Sequence, residues 1–425
     1  MKLAFIQTGL PGPAYHGGAV TCWAILKAMK AMGHDVTLIS LFDNSKHNPY
    51  LDSRDSQTKA IENLGVKIHF IDFDFSKIAF KPDGLFARLK LYVFPSLPIL
   101  FPWAKLSAKV AEAIKSCSPE AAFCYHFDAL SACYQIKDVP LVAGVGDLWH
   151  LPSYFLWLAK DSSLRKFLLG WPMQKAYEAS CIRLMRRMLL PCSLTGAFAA
   201  HYADFLRNLP GLEKTVYFRT PAHDPVGEAW LEQRKDARMR RNSTKPKILM
   251  IGDITGTAAR WGLRLLVDEV MPHLDQVIGS DNYELHLVGG GQIESQFDCL
   301  HKHPAVFVRG RITPPDEEFL NSDVLFVPTP VTLGIRVRII TGISYGCCVV
   351  AHEANRAGIP ELAHNDNSLT GKTGKELAEH IVTAIQNPEI RQRIEKSARD
   401  TFCSLFSETV AAKTIVKSIE NLKRD

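Results

Sequence analysis

Residues 3–39 restrict the fold more than any other stretch. Leu3 to Gln7 is an apolar run of strand length, and Thr8 to Gly18 is a loop rich in glycine and proline. From about Ala19 to Met32 apolar residues return at helical spacing (Val20, Trp23, Ile25, Leu26, Met29), Gly33 stops the helix, and Val36 to Ile39 is a second apolar strand. A strand, a helix and a strand of these lengths make a crossover unit whose strands lie parallel on a right-handed path. Parallel sheets bury both faces under helices, so the chain is α/β.

The same alternation continues. Strands are expected at Val66 to Ile71, Ala121 to Tyr125, Leu141 to Val145 and Met188 to Cys192, with helical stretches between. The texture changes near Pro221 to Pro246. Glu232 to Lys247 is dense in Arg and Lys and ends in Asn242-Ser243-Thr244, the composition of an exposed linker. A second unit then opens with the strand Lys247 to Gly252. It continues through a helix near Trp261 to Met271 and strands at Glu284 to Val288, Val306 to Val308 and Val324 to Val327. A helix over Arg338 to Tyr345 and a strand at Cys348 to Val350 follow, and Gly374 to Leu422 reads as two or three amphipathic helices. With 425 residues the chain suits two cores. The expected division is an N-terminal domain over 1–225, a basic linker over 226–246, a C-terminal domain over 247–405, and a last helix over 406–425 packing back on the first domain.

Composition narrows the partners. Apolar residues are 47% and charged residues 22%, as in an ordinary globular protein. A net charge of +6 suits phosphates or anionic lipid and falls short of a nucleic-acid signature. The N-terminus has no signal-peptide pattern, and Leu91 to Ala104, the most apolar window, is too short to span a membrane and carries three prolines. The ten cysteines form no Cys-x-x-Cys pair and sit mostly in apolar contexts, as expected of free thiols in a reducing, cytoplasmic setting.

In open parallel sheets ligands bind beyond the carboxyl ends of strands. Three glycine-bearing turns fall at such places: His16-Gly17-Gly18, Gly289-Gly290-Gly291 and Leu333-Gly334-Ile335-Arg336. Helix N-termini offer unpaired N–H groups to phosphates, and glycine lets the backbone approach. None of the three is the dinucleotide fingerprint, and a P-loop is missing. Arg336 and Arg338 follow the third turn as the chain enters a helix, so two guanidinium forks are available to a diphosphate.

At these residues a resemblance emerges. The opening Gly-Leu-Pro-Gly-Pro-Ala-Tyr-His-Gly-Gly, with a helix ending Met-Gly-His-Asp-Val-Thr-Leu-Ile, resembles family 4 glycosyltransferases of the GT-B fold (glycosyl transferases group 1). In the second half Leu-Val-Gly-Gly-Gly, Val-Arg-Gly-Arg-Ile, Asp323 to Pro328 and Gly334 to Gly346 follow in the family's order. The resemblance implies two Rossmann-like domains facing a central cleft. It implies a nucleoside-diphosphate sugar as co-substrate on the C-terminal domain and an acceptor on the N-terminal one. Retention of anomeric configuration and no obligatory metal or other cofactor are implied as well. Carried over by position, Gly17 and Gly18 approach the donor phosphates, Gly334, Arg336 and Arg338 form the phosphate segment, and Gly290 and Arg311 lie at the nucleoside.

The family's paired glutamates fall at Leu333 and Thr341, so Thr341 retains only a hydroxyl for the ribose. The Arg after the first strand of the second domain is replaced by Asp253, the family's Lys is absent unless Arg260 substitutes for it, and the His of its His-Asp-Leu motif falls at Gly146. His126 is the candidate in place of that His for contacting sugar or acceptor, with His150 also near in sequence. The expected activity is sugar transfer to a glycan or lipid-linked acceptor in cell-surface polysaccharide or glycolipid assembly. The alternative that the missing glutamates raise is a catalytically silent GT-B scaffold binding a glycan or a partner transferase. Asp72-Phe73-Asp74 mimics a metal motif of another transferase class and is read as solvated carboxylates, and His301-Lys302-His303 as surface. Leu85 to Trp103 and Ser163 to Leu190 mix basic with large apolar residues, which suits either a peripheral contact at the inner face of a membrane or buried amphipathic helices.

Overall fold

The structure is a computed structural model. It describes residues 1–12, 17–46, 48, 51–81, 84, 90–91, 94–159 and 164–422, with side chains left out at 156–159 and 164–169. His16, Arg88 and the side chains of Arg165 and Lys166 lie outside the described residues.

The chain divides into two compact units, one of Met1–Arg219 with Ala411–Asp425 and one of Thr220–Val410. In the first, β1 (Lys2–Thr8), β2 (Asp35–Asp43), β3 (Lys67–Phe73), β4 (Ala121–Tyr125), β5 (Leu141–Val145), β6 (Leu194–Ala197) and β7 (Val216–Tyr217) form a sheet in the order β3-β2-β1-β4-β5-β6-β7. Every described pairing in it is parallel. In the second, β8 (Lys247–Ile251), β9 (Glu284–Val288), β10 (Val306–Gly310), β11 (Val324–Val327), β12 (Val349–His352) and β13 (Leu369–Gly371) run β10-β9-β8-β11-β12-β13, again parallel. Each order starts in the middle, moves out one way and then returns to move out the other way. This is the doubly wound Rossmann-like arrangement, with the reversal at β1/β4 and at β8/β11.

The apolar runs read from the sequence are contiguous because both faces of each strand are covered. In the second unit Ile248, Met250, Val324, Phe326 and Val350 pack into one core, while Leu249, Leu325, Val327, Val349 and Ala351 pack into the other. Successive side chains point to opposite faces, so one run feeds both layers.

Three expectations are corrected. Met188 to Cys192 is not a strand. Met188 and Leu189 end the long helix Leu164–Leu189, where Cys181, Leu184, Met185 and Met188 share one buried face, and β6 begins two residues after Cys192. The helix near Trp261 is longer than read, running as Thr257–Leu265, a π turn over Leu266–Val270, and Met271–Ile278.

The basic segment 226–246 is not an exposed linker. It contains the helix Trp230–Met239, whose Arg234 is fully buried. Arg234 donates to the carbonyls of Phe319 and Ser322 at 2.8 Å each and pairs with Glu395 at 3.2 Å, and Arg241 pairs with Asp323 at 2.7 Å. Its partners lie far along the chain, so composition alone gave it the look of a solvated segment. The boundary between the units falls before it, at Arg219/Thr220. The helix Lys413–Asn421 closes the chain in the first unit, with Ile415, Val416 and Ile419 in that unit's core and Glu420 3.1 Å from His34.

Candidate active site

In the second unit the connections leaving β8, β9 and β11 converge. Gly252 follows β8 at φ 130°, and a Cβ on Gly289 would lie 1.7 Å from its carbonyl oxygen, so two backbones touch where neither could carry a side chain toward the other. Ile254 N donates to the carbonyl of Gly290 at 3.3 Å, and nothing stands within 4 Å of where a Gly290 Cβ would be. From the β11 side the chain turns through Gly334 (φ 69°), and Arg336 caps the helix Val337–Ser344.

Arg338 in that helix reaches back to the end of β8, where its Nη1 donates to the carbonyl of Ile251 at 2.8 Å. Its guanidinium lies over Gly252, at 3.0 Å from where a Cβ would be. Burial and the neighbouring Arg336 guanidinium push its pKa down to about 10, against the pull of Asp253, so it stays cationic at neutral pH. Among the described residues no carboxylate lies within 4 Å of it. Asp253 accepts instead from Thr255 N at 2.8 Å and Thr255 Oγ1 at 2.6 Å. Two neighbouring cations at the reversal point of a parallel sheet, beside half-buried glycine backbone, suit an anionic oxygen cluster.

The other residues expected here are placed as follows. Thr341 is one turn beyond Arg338 on the same helix, and Leu333 is buried. Arg311 follows β10 at the far edge of the sheet, three strands from β11. Arg260, the substitute cation, is engaged by Glu294, whose Oε1 accepts from its Nε at 2.8 Å and also from its Nη2.

In the first unit the reversal point lies between β1 and β4. Gly17 and Gly18 open the helix Gly17–Ala31, and Thr21 Oγ1 donates to the Gly17 carbonyl at 3.0 Å. Tyr125, at the end of β4, hydrogen-bonds the Thr21 side chain, and burial raises its phenol pKa. His126 follows in the left-handed region at φ 71°, which is uncommon away from glycine. Its Nε2 accepts from the Asp147 amide at 3.4 Å. A Cβ on Gly146 would stand 2.2 Å from that nitrogen. The imidazole from the end of β4 therefore fills the space that a side chain at position 146, after β5, would enter.

Asp128 was not singled out from the sequence. It lies in the first turn of the helix His126–Cys133, its Oδ1 is buried without a hydrogen-bond partner among the described residues, and burial raises its pKa to about 6 against the pull of His126. A lone carboxylate in the apolar helix His-Phe-Asp-Ala-Leu-Ser-Ala-Cys was the available signal. His150 is buried with its ring 5.7 Å from Phe205 and belongs to the core.

Asp72 pairs with Arg54 at 3.0 Å and Asp74 caps the helix Phe75–Ile78, so both have structural partners. His303, read as surface, is half-buried and bonds Asp275 at 2.8 Å. Among the described residues no group of three or more His, Cys, Asp or Glu could hold a metal ion, and no helix is long and apolar enough to cross a membrane.

Residues 245–387 match the family model described as Glycosyl transferases group 1. Over that stretch, about a third of its length, the chain is similar to glycosyl transferases group 1. Solved structures share the GT-B fold over the whole length of the chain. Sucrose-phosphate synthase from Thermosynechococcus elongatus superposes with a TM-score of 0.71 at 13% identity, covering 100% of this chain and 99% of that one. HepE from Anabaena, solved with UDP and glucose, gives 0.65 at 15% identity, covering 99% of both chains. WaaG, a glycosyltransferase involved in lipopolysaccharide biosynthesis, gives 0.59 at 14% identity, covering 97% and 98%. No curated protein sequence matches the chain.

Proposed function

We propose that the chain is a glycosyltransferase that moves a sugar from a nucleoside-diphosphate sugar to a glycan or lipid-linked acceptor, with retention of configuration, in the assembly of cell-surface polysaccharide or glycolipid. The observation that carries the reading is the Arg336/Arg338 pair, held at the carboxyl end of β8 with no carboxylate at ion-pair distance from Arg338 among the described residues. Negative charge grows on the diphosphate as the glycosidic bond breaks, and fixed guanidinium groups stabilise it without reorganising. Gly290 and Arg311 are assigned to the nucleoside, Thr341 to a ribose hydroxyl, and Gly334 to the phosphate turn. Within the first unit, Gly17 and Gly18 at the start of the helix Gly17–Ala31 are assigned to phosphate, and His126 to sugar or acceptor. A metal has no role in this scheme. HepE in complex with UDP-glucose supports a uridine nucleotide as the first donor to try, and WaaG supports a cell-surface product. Work on such an acceptor would place the enzyme in the cytoplasm, peripheral to the inner face of the membrane.

The test is calorimetry with UDP and UDP-glucose on the wild type and on Arg336→Ala/Arg338→Ala. A charged hydrogen bond contributes about 1.5–3 kcal/mol, so losing two should weaken binding by about a hundredfold or more. Circular dichroism and the melting midpoint should stay as in the wild type. Unchanged affinity in the double variant removes the assignment. The silent-scaffold reading rests on Leu333 and Thr341 in place of carboxylates; it is favoured if the wild type binds none of a panel of nucleotides and nucleotide sugars.

A further inference from the structure

At the carboxyl edge of the first sheet three large rings from separate connections meet. Phe75 comes two residues after the end of β3 and is 37% exposed. Trp149 comes four residues after β5 and is half-buried, and Trp103 lies in the turn Pro102–Leu106, also half-buried. Their centroids are 5.4 Å apart for Phe75–Trp103 and 6.2 Å for Trp103–Trp149, the latter edge to face. Phe101 backs the group, 4.8 Å from Trp149, and is itself fully buried.

Two features separate this group from an ordinary core cluster. Among the described residues Trp103 Nε1 is buried without a hydrogen-bond partner, although a buried indole N–H usually finds one. The group is also continuous with the site described above, because Trp149 is two residues from Asp147, whose amide meets His126 Nε2.

We propose that Phe75, Trp103 and Trp149 form a platform for one pyranose ring of a saccharide acceptor. It rests on reading the chain as a glycosyltransferase, and it names where that acceptor binds. A pyranose has an apolar C–H face bounded by hydroxyls. Aromatic faces take the C–H face, the Trp103 indole N–H supplies a donor to a ring or hydroxyl oxygen after a small side-chain shift, and the exposed Asp147 carboxylate supplies an acceptor. A bilayer is the competing occupant, and the local charge disfavours it. Lys105 Nζ is tied to the carbonyl of Ile78 at 2.6 Å, Lys77 pairs with Asp74 at 3.7 Å, and Asp147 adds an exposed negative charge. Membrane-surface contacts gain instead from unpaired cations beside apolar side chains.

The experiment titrates the full-length protein with methyl glycosides of glucose, galactose and mannose and with cellobiose. Saturation-transfer NMR reads binding, with tryptophan fluorescence in parallel. A second arm uses vesicles of phosphatidylcholine with phosphatidylglycerol. At least one saccharide should show transfer to its ring C–H protons and quench fluorescence. Phe75→Ala and Trp149→Phe should each weaken that binding, by up to about tenfold for the loss of one stacked ring. Phe75 is exposed enough that its variant will fold even if changes at Trp149 do not. UDP calorimetry on the same variants should match the wild type. Failure of the wild type to bind UDP would count against the donor reading alone. No saccharide binding, equal binding by the variants, or binding of vesicles in place of saccharides overturns the platform.

Discussion

Replacing Asp128 by Asn should stabilise the protein at neutral pH and make no difference in acid. The perturbation keeps the shape of the side chain and removes its ionisation. In the folded chain the carboxyl titrates at about 6 in place of 3.8, because burial disfavours the charged form more than His126 favours it. At about 1.4 kcal/mol per unit, the gap is worth on the order of 3 kcal/mol. The sign follows from proton uptake. Between the two pKa values the folded state holds a proton that the unfolded state has lost, so stability falls as pH rises through this window. Below about pH 4 both states are protonated and Asp costs no more than Asn; above about pH 7 both are ionised and the full cost is present. Urea unfolding of wild type and Asp128→Asn side by side at each pH, followed through the transition of the N-terminal unit, gives the difference directly. It should grow from near zero to about 3 kcal/mol across that range. A difference that does not change with pH, or a variant less stable above pH 7, would refute the account of Asp128 as a carboxyl ionised against burial.

Further outcomes follow from the geometry. Glu395→Ala should destabilise the second unit by about 3–5 kcal/mol, since it leaves the buried Arg234 guanidinium without its carboxylate, and differential scanning calorimetry reads the loss. Gly252→Ala, at φ 130° and 3.0 Å from the Arg338 guanidinium, should cost about 1–3 kcal/mol. It should also lower UDP affinity as Arg338 is displaced; unchanged affinity would detach Arg338 from the site. Gly146→Ala should push the His126 imidazole from its place and reduce sugar transfer while leaving UDP binding intact, which a comparison of turnover with calorimetry separates.

The strands were legible wherever both faces are buried, because Lys247–Ile251 or Val324–Val327 then stand out as unbroken apolar runs. Leu194–Ala197 escaped notice because Thr and Gly interrupt it, and the apolar end of the preceding helix drew the assignment instead. The arginine-rich helix Trp230–Met239 was misread for a different reason. Charge normally marks solvent, and what reverses the rule here is Glu395, 161 residues away. At the site, Arg336 and Arg338 could be picked out from spacing. That Arg338 lies over Gly252, or that His126 fills the space beside Gly146, depends on contacts across neighbouring strands and has no local signature.

The return of Lys413–Asn421 to the first unit has a bearing on biosynthesis. Ile415, Val416 and Ile419 complete a core begun by Trp23, Leu26 and Met29, almost four hundred residues earlier. Until that helix docks, the first unit shows an unfinished oily seam. That seam is sealed by a segment made only after the whole of Thr220–Val410, so the first unit must be kept from aggregating while the second is synthesised.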